Sequence, residues 1–139
     1  MDIPSALIEI QIARGTILHS TMFQNIDHGK FFVIVGVSKD YVAGFFFINS
    51  RVNIHIEDKQ AQLDMQYPLR KKDYSFLHHD SFLCATKIEK IERSRLAETI
   101  KSGITTIIGS MKEEHMEELL EKARESILFS KIQKKQFLY

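Results

Sequence analysis

The pattern of apolar and polar positions changes character several times along this chain. Its densest part lies between Lys30 and Ser50. Lys30-Phe31-Phe32-Val33-Ile34-Val35-Gly36-Val37 and Tyr41-Val42-Ala43-Gly44-Phe45-Phe46-Phe47-Ile48-Asn49-Ser50 are two nearly unbroken apolar runs. Both are rich in β-branched and aromatic residues, which suit a pleated surface. Ser38-Lys39-Asp40 between them is short and polar, so the two runs predict a hairpin. Near-continuous apolarity predicts that both faces of these strands are covered by protein.

Around this pair the period varies. Ile8, Ile10 and Ile12 alternate with Glu9 and Gln11, which predicts a strand or extended lead-in within residues 1–12. Arg14 to Ser20 reads as a first barrel strand, with Gly15 permitting a bulge or tight bend. Ser20 to Gly29 is a polar loop ending in Asp27-His28-Gly29-Lys30. Val52, Ile54 and Ile56 alternate with Asn53 and His55. Leu63, Met65 and Tyr67 alternate with Asp64 and Gln66, until Pro68 confines that strand to an edge or ends it. Ser81 to Ile91 predicts a further strand. Ser94 can cap a short helix over Arg95–Lys101 that Gly103 ends. Ile104 to Gly109 has the β-branched content of a last strand. Ser110 and Glu113 have the spacing of a capping box. Met116, Leu119, Leu120, Ala123, Ile127 and Leu128 then share one helical face, which predicts a helix over residues 111–128. Residues 129–139 read as a basic, fraying tail.

Composition narrows the class. With 139 residues, 44% hydrophobic and 27% charged, the chain fits one globular domain spanning residues 1–139. The formal net charge of +1 excludes bulk charge as a handle for polyanions, leaving only local patches. A single cysteine, Cys84, excludes an intrachain disulfide or a cysteine-based zinc site, and its apolar setting predicts a buried structural thiol. No run is long and apolar enough to span a bilayer, and Met1-Asp2-Ile3-Pro4 lacks a secretory pattern, so a cytoplasmic protein is expected.

Candidate chemistry is sparse. His28 can carry a proton near neutral pH. His78-His79-Asp80 suggests a metal site, yet adjacent residues of an extended segment point to opposite sides, and no second ligand cluster accompanies them. No metal is therefore expected. Arg70, Lys71 and Lys72 can follow a phosphate backbone, with Tyr67 and Tyr74 available for base stacking.

The order of these segments resembles the MazF/PemK family of endoribonuclease toxins. Arg14-Gly15 opens a strand, a glycine and a basic residue precede the central apolar strand, and the next strand ends in a hydroxyl residue. Asp80-Ser81-Phe82-Leu83, Lys87-Ile88, Arg95-Leu96 and Ile108-Gly109-Ser110-Met111 before an acidic amphipathic helix complete the likeness, over roughly Ala13 to Leu128. The resemblance implies a mainly β fold with α: a small SH3-like barrel with a short helix and a C-terminal amphipathic helix. It implies a homodimer, an antitoxin protein partner and no cofactor. It also implies metal-free RNA cleavage, in which a ribose 2′-hydroxyl attacks the adjacent phosphate. Carried onto this chain, the family's basic and hydroxyl positions are Lys30 and Ser50, with His28 as proton carrier. Arg51, Arg70, Lys71 and Lys72 would bind RNA. The chain departs from the family where Lys30 precedes Phe31 rather than proline. Lysine is a point charge and cannot fork two hydrogen bonds onto phosphate. The alternative is a catalytically inactive barrel that binds protein or nucleic acid.

Overall fold

A computed structural model describes residues 4–23, 28–51 and 59–139. The hairpin is where the sequence puts it. Lys30–Val37 forms β2 and Val42–Asn49 forms β3, paired antiparallel from Phe32↔Phe47 to Val37↔Ala43. Four more strands flank them: β1 (Thr16–Ser20), β4 (Gln66–Leu69), β5 (Ser81–Glu92) and β6 (Thr105–Ser110). The order across the sheet is β4-β5-β3-β2-β1-β6, so the hairpin is central and β4 and β6 are the edges. All the pairings are antiparallel. The expected mainly β fold with helices is present. The ladder runs from edge to edge without closing, so among the described residues the strands do not make a hydrogen-bonded barrel.

Both faces of the sheet are covered, which is why β2 and β3 are apolar nearly throughout. On one face, Val33, Val35, Phe46, Leu83 and Ala85 pack with Met116, Leu119, Leu120 and Ala123 of α4 (Glu113–Glu125) and Phe137 of α5 (Lys131–Phe137). On the other, Leu18, Phe32, Ile34 and Phe45 pack with Ile8 of α1 (Ser5–Gln11) and Leu96 and Ala97 of α3 (Arg93–Lys101). A remaining short helix, α2, spans Gln60–Leu63.

Several expectations are corrected. Residues 5–11 are helical, with Ile8 and Ile12 buried and Ile10 72% exposed. An i, i+4 pair therefore faces the core, and the apparent alternation was accidental. Leu63 belongs to α2, and only Met65 onward leads into β4. Glu92, not Ser94, caps α3, and Lys112 rather than Ser110 caps α4, neither with a side-chain hydrogen bond. Ser110 instead closes β6. The predicted helix ends at Glu125, and Ile127 is 86% exposed rather than on its buried face. The stretch predicted as a strand over residues 52–56 lies outside the described residues. Other expectations hold: Pro68 sits in an edge strand, and Gly103, at φ +85°, lies just beyond the end of α3.

The largest departure is the tail. Residues 131–137 form a helix with a Ser130–Gln133 capping box, and Phe137 and Leu138 are buried. Gly36 and Gly44 face one another across β2 and β3. Phe137 fills the hollow they leave: a Cβ on Gly36 would lie 2.0 Å from the Phe137 carbonyl oxygen. Arg14 clamps the segment, donating to the carbonyls of Val35 (2.7 Å), Phe137 (3.0 Å) and Tyr139 (3.2 Å). Arg124 donates to Leu138 O (2.6 Å). Burial, and then the neighbouring Arg124 charge, push the Arg14 pKa down.

Candidate functional site

The β2 and β3 ends meet at one end of the sheet. There Gly29, Lys30, Phe31, Ile48, Ser50 and Ser81 border a cavity of about 230 Å³, closed by Phe76, Leu77, His78 and His79 of the β4–β5 loop. The floor is apolar: Ile48 and Leu77 are buried, and the Phe31 and Phe76 rings lie 4.9 Å apart. The rim is polar, with Ser50, His78 and His79 exposed. Ser81 Oγ donates to His79 O (3.0 Å), tying the end of the loop to β5. Asp80 accepts from the backbone N–H of Lys71 (2.8 Å), pinning the two ends of the loop together.

Lys30 and Ser50 thus border the same cavity, as the hairpin geometry requires. The Lys30 ammonium is nonetheless engaged within the protein. It donates to Asn49 Oδ1 and to Ile48 O (3.3 Å), and lies 5.6 Å from the centre of the Phe47 ring. Asn49 and Phe47 alternate with Ile48, so the amine is turned toward the opposite sheet face from Phe31 and Ile48. Burial pushes the Lys30 pKa down, with the nearby Cys84 sulfur acting in the other direction. That sulfur is half-buried, 3.3 Å from Thr86 Oγ1 and accepting from Gln66 Nε2 at 3.5 Å.

The other expected site residues divide. His28 is exposed in the turn two residues before β2 and does not border the cavity; its neighbour Gly29 does. Arg51 is exposed beyond Ser50. Arg70, Lys71 and Lys72 are exposed on the same loop that carries the cavity wall. Tyr67 and Tyr74 are corrected: they are 6% and 5% exposed and cannot stack on bases. Tyr67 donates to Glu118 Oε2 (3.4 Å), and Tyr74 accepts from the Lys112 N–H (3.1 Å) and pairs with His115 Nδ1 (2.7 Å). Both hydroxyls therefore hold the β4–β5 segment against α4. His78 and His79 are the site residues that sequence reasoning assigned only to a rejected metal reading. Among the described residues no group of three metal-ligating side chains gathers, and no helix is long and apolar enough to cross a membrane.

The tyrosine pair gives a pH test of this packing. Burial first, then the Glu118 charge and hydrogen bond, push the Tyr67 pKa up to about 12. A raised folded-state pKa favours the folded form fully below the ordinary tyrosine value near 10, and that contribution is lost as pH rises to about 12. Spectrophotometric titration is expected to show one phenol ionising near pH 12, absent in Tyr67→Phe. A phenol titrating normally in that position would remove the account of how α4 grips this segment.

Fold and site together define an antiparallel sheet layered by helices, with a hydroxyl- and imidazole-rimmed cavity beside a basic loop. No family model matches the chain, and no curated protein is similar to it at a level that marks a relative.

Proposed function

We propose that this chain is a divergent MazF/PemK-like domain that binds single-stranded RNA at the Lys30–Ser50 end of the sheet and cleaves it without metal. The observation that carries the reading is the cavity where Lys30 and Ser50 meet His78 and His79, on a loop that also presents Arg70, Lys71 and Lys72. The run from β1 through β6 into α4 supports the family likeness. The open ladder and the helices on the second sheet face distinguish this chain from a closed SH3-like barrel.

Attack by a 2′-hydroxyl needs a base for its proton, an acid for the leaving oxygen and a cation for the charge that builds on phosphorus. His78 and His79 border the cavity and supply the proton carriers, in place of His28. Ser50 orients a phosphate oxygen. Lys30 supplies the positive charge only after its ammonium leaves Asn49 and swings round the strand end from the opposite sheet face to the cavity. The basic loop holds the flanking backbone. An antitoxin protein would act by covering the same rim.

A second reading, binding without turnover, is favoured by the hydrogen bonds that already occupy the Lys30 ammonium. One experiment separates them. Long single-stranded RNA incubated with the protein in EDTA is expected to yield fragments ending in 2′,3′-cyclic phosphate. His78→Ala/His79→Ala is expected to slow this by roughly a hundredfold. Substituting Arg70, Lys71 and Lys72 together by alanine is expected to flatten the salt dependence of RNA affinity by about two units of slope. Salt-sensitive binding with no fragments supports the second reading. Neither binding nor fragments overturns both.

A further inference from the structure

A second cavity, of about 320 Å³, lies along α4 where the helix passes the start of β1. No residue borders both it and the cavity at Lys30. Its volume is at the lower end of small-molecule pockets. The floor is apolar, with Met111 and Met116 buried. The charged groups around it are sorted by sign. Glu113 and Glu117 border it from the first turns of α4, Arg124 borders it from the last turn, and Arg14 lies beside Arg124. Glu117 and Arg124 are seven positions apart, a rise of about 10 Å between their backbones.

Each like-charged pair repels itself. Glu113 and Glu117 are one turn apart on one helix face. The Arg124 charge, after burial, pushes the Arg14 pKa down, as expected of neighbouring guanidiniums. Backbone carbonyls fix both arginines. Arg14 donates through Nε and one terminal nitrogen, and Arg124 through Nε, with the Tyr139 ring 5.0 Å from its guanidinium carbon. The other terminal nitrogen of Arg14 and both of Arg124 have no acceptor among the described residues. None of the four charged side chains is in an ion pair there. Anchored guanidiniums with free N–H groups are preorganised to fork onto a carboxylate.

We propose that this cavity binds a small zwitterion, its carboxylate held by Arg14 and Arg124, its ammonium by Glu113 and Glu117, and its apolar middle lying on Met111 and Met116. One molecule then neutralises both self-repelling pairs. A phosphate would satisfy the arginines alone and be repelled by the glutamates. An extended dipeptide, about 7 Å long, and an ω-amino acid of similar length share the required chemistry. This inference does not depend on the RNA reading.

Titration of the full chain followed by carbon-13 NMR of the methionine methyl groups tests it. Of the five methionines, 6-aminohexanoate is expected to shift Met111 and Met116 saturably and to leave the others in place. Hexanoate and hexylamine each lack one charge, and are expected to bind at least about tenfold more weakly. Glu113→Gln/Glu117→Gln is expected to weaken 6-aminohexanoate to the level of hexanoate, and to leave hexanoate itself no weaker. Both positions are exposed, so circular dichroism of this variant should match the wild type. Alanyl-leucine in the same titration separates the two sources, and the tighter of the two zwitterions names the class of natural ligand. No saturable shift with either zwitterion overturns the proposal. So does hexanoate or hexylamine binding as tightly as 6-aminohexanoate, or a glutamine variant that loses hexanoate along with it.

Discussion

Gly36→Ala is expected to cost about 4 kcal/mol of stability, the largest effect of any single added methyl group in this protein. The added Cβ would sit 2.0 Å from the Phe137 carbonyl oxygen, 2.8 Å from its carbonyl carbon and 3.0 Å from its Cα. Every one of these atoms is backbone, so no rotamer change relieves the clash. The end of α5 has to move off the sheet. That movement exposes Phe137 and Leu138, now 2% and 0% exposed, at roughly 1.5 to 3 kcal/mol for each side chain fully released. It also breaks the hydrogen bond from Arg14 to Phe137 O. Charged hydrogen bonds contribute roughly 1.5 to 3 kcal/mol, and water replaces part of that. Urea unfolding should show a lower midpoint. If α5 detaches entirely, the slope should fall as well, because less surface remains to be exposed. A change below about 1 kcal/mol would mean that α5 does not dock where the structure places it.

The same glycines show which parts of the fold could be read from the sequence. The β2–β3 hairpin was legible because a strand covered on both faces is apolar at every position, and no other element of that length matches it. The α4 stripe was legible for a similar reason: Met116, Leu119, Leu120 and Ala123 leave only a helix to bury them together. The α1 segment misled because Ile8, Ile10 and Ile12 satisfy a period of two while Ile8 and Ile12 alone satisfy a helical turn. Only burial distinguishes the two, and it leaves Ile10 outside. The tail carried almost no periodicity, since its lysines face solvent and few apolar residues anchor it. Its signal lay a hundred residues away, in two glycines within strands, which mark a close approach of other atoms. The hairpin also explains why Lys30 and Ser50 were found as neighbours: they lie at the open ends of two adjacent strands. His78 and His79 reach the same cavity from a loop with no fixed register to β2. Nothing in local spacing could have joined them. Tyr67 and Tyr74 looked available for stacking because a phenol near basic residues is ambiguous until α4 is seen to cover it.

The second large effect lies at Gly44, and it differs in kind. A Cβ there would meet Phe137 Cδ1 at 2.6 Å, Phe137 Cγ at 2.9 Å and Ile88 Cγ2 at 3.0 Å, all side-chain atoms. Gly44→Ala alone is expected to cost about 2 kcal/mol, the ordinary penalty of overpacking. Phe137→Ala alone is expected to cost about 4 kcal/mol, because a ring buried to 2% exposure leaves a cavity. Combined, the two should cost less than their sum by roughly 1 to 2 kcal/mol, since the new methyl occupies space the ring has vacated. Gly36→Ala should behave otherwise in the Phe137→Ala background. Its obstacle is the carbonyl of residue 137, which the substitution leaves in place, so the clash, the lost Arg14 hydrogen bond and the exposure of Leu138 persist, and about 2 kcal/mol of its cost should remain once the ring is gone. Chemical denaturation of the five single and double variants closes both cycles. In the Phe137→Ala background, a cost that nearly vanishes at Gly44 and persists at Gly36 establishes that α5 rests on the sheet through its ring at one glycine and its backbone at the other. Costs that vanish at both glycines in that background would mean that the helix end shifts as a body, and that the hollow does not fix its position.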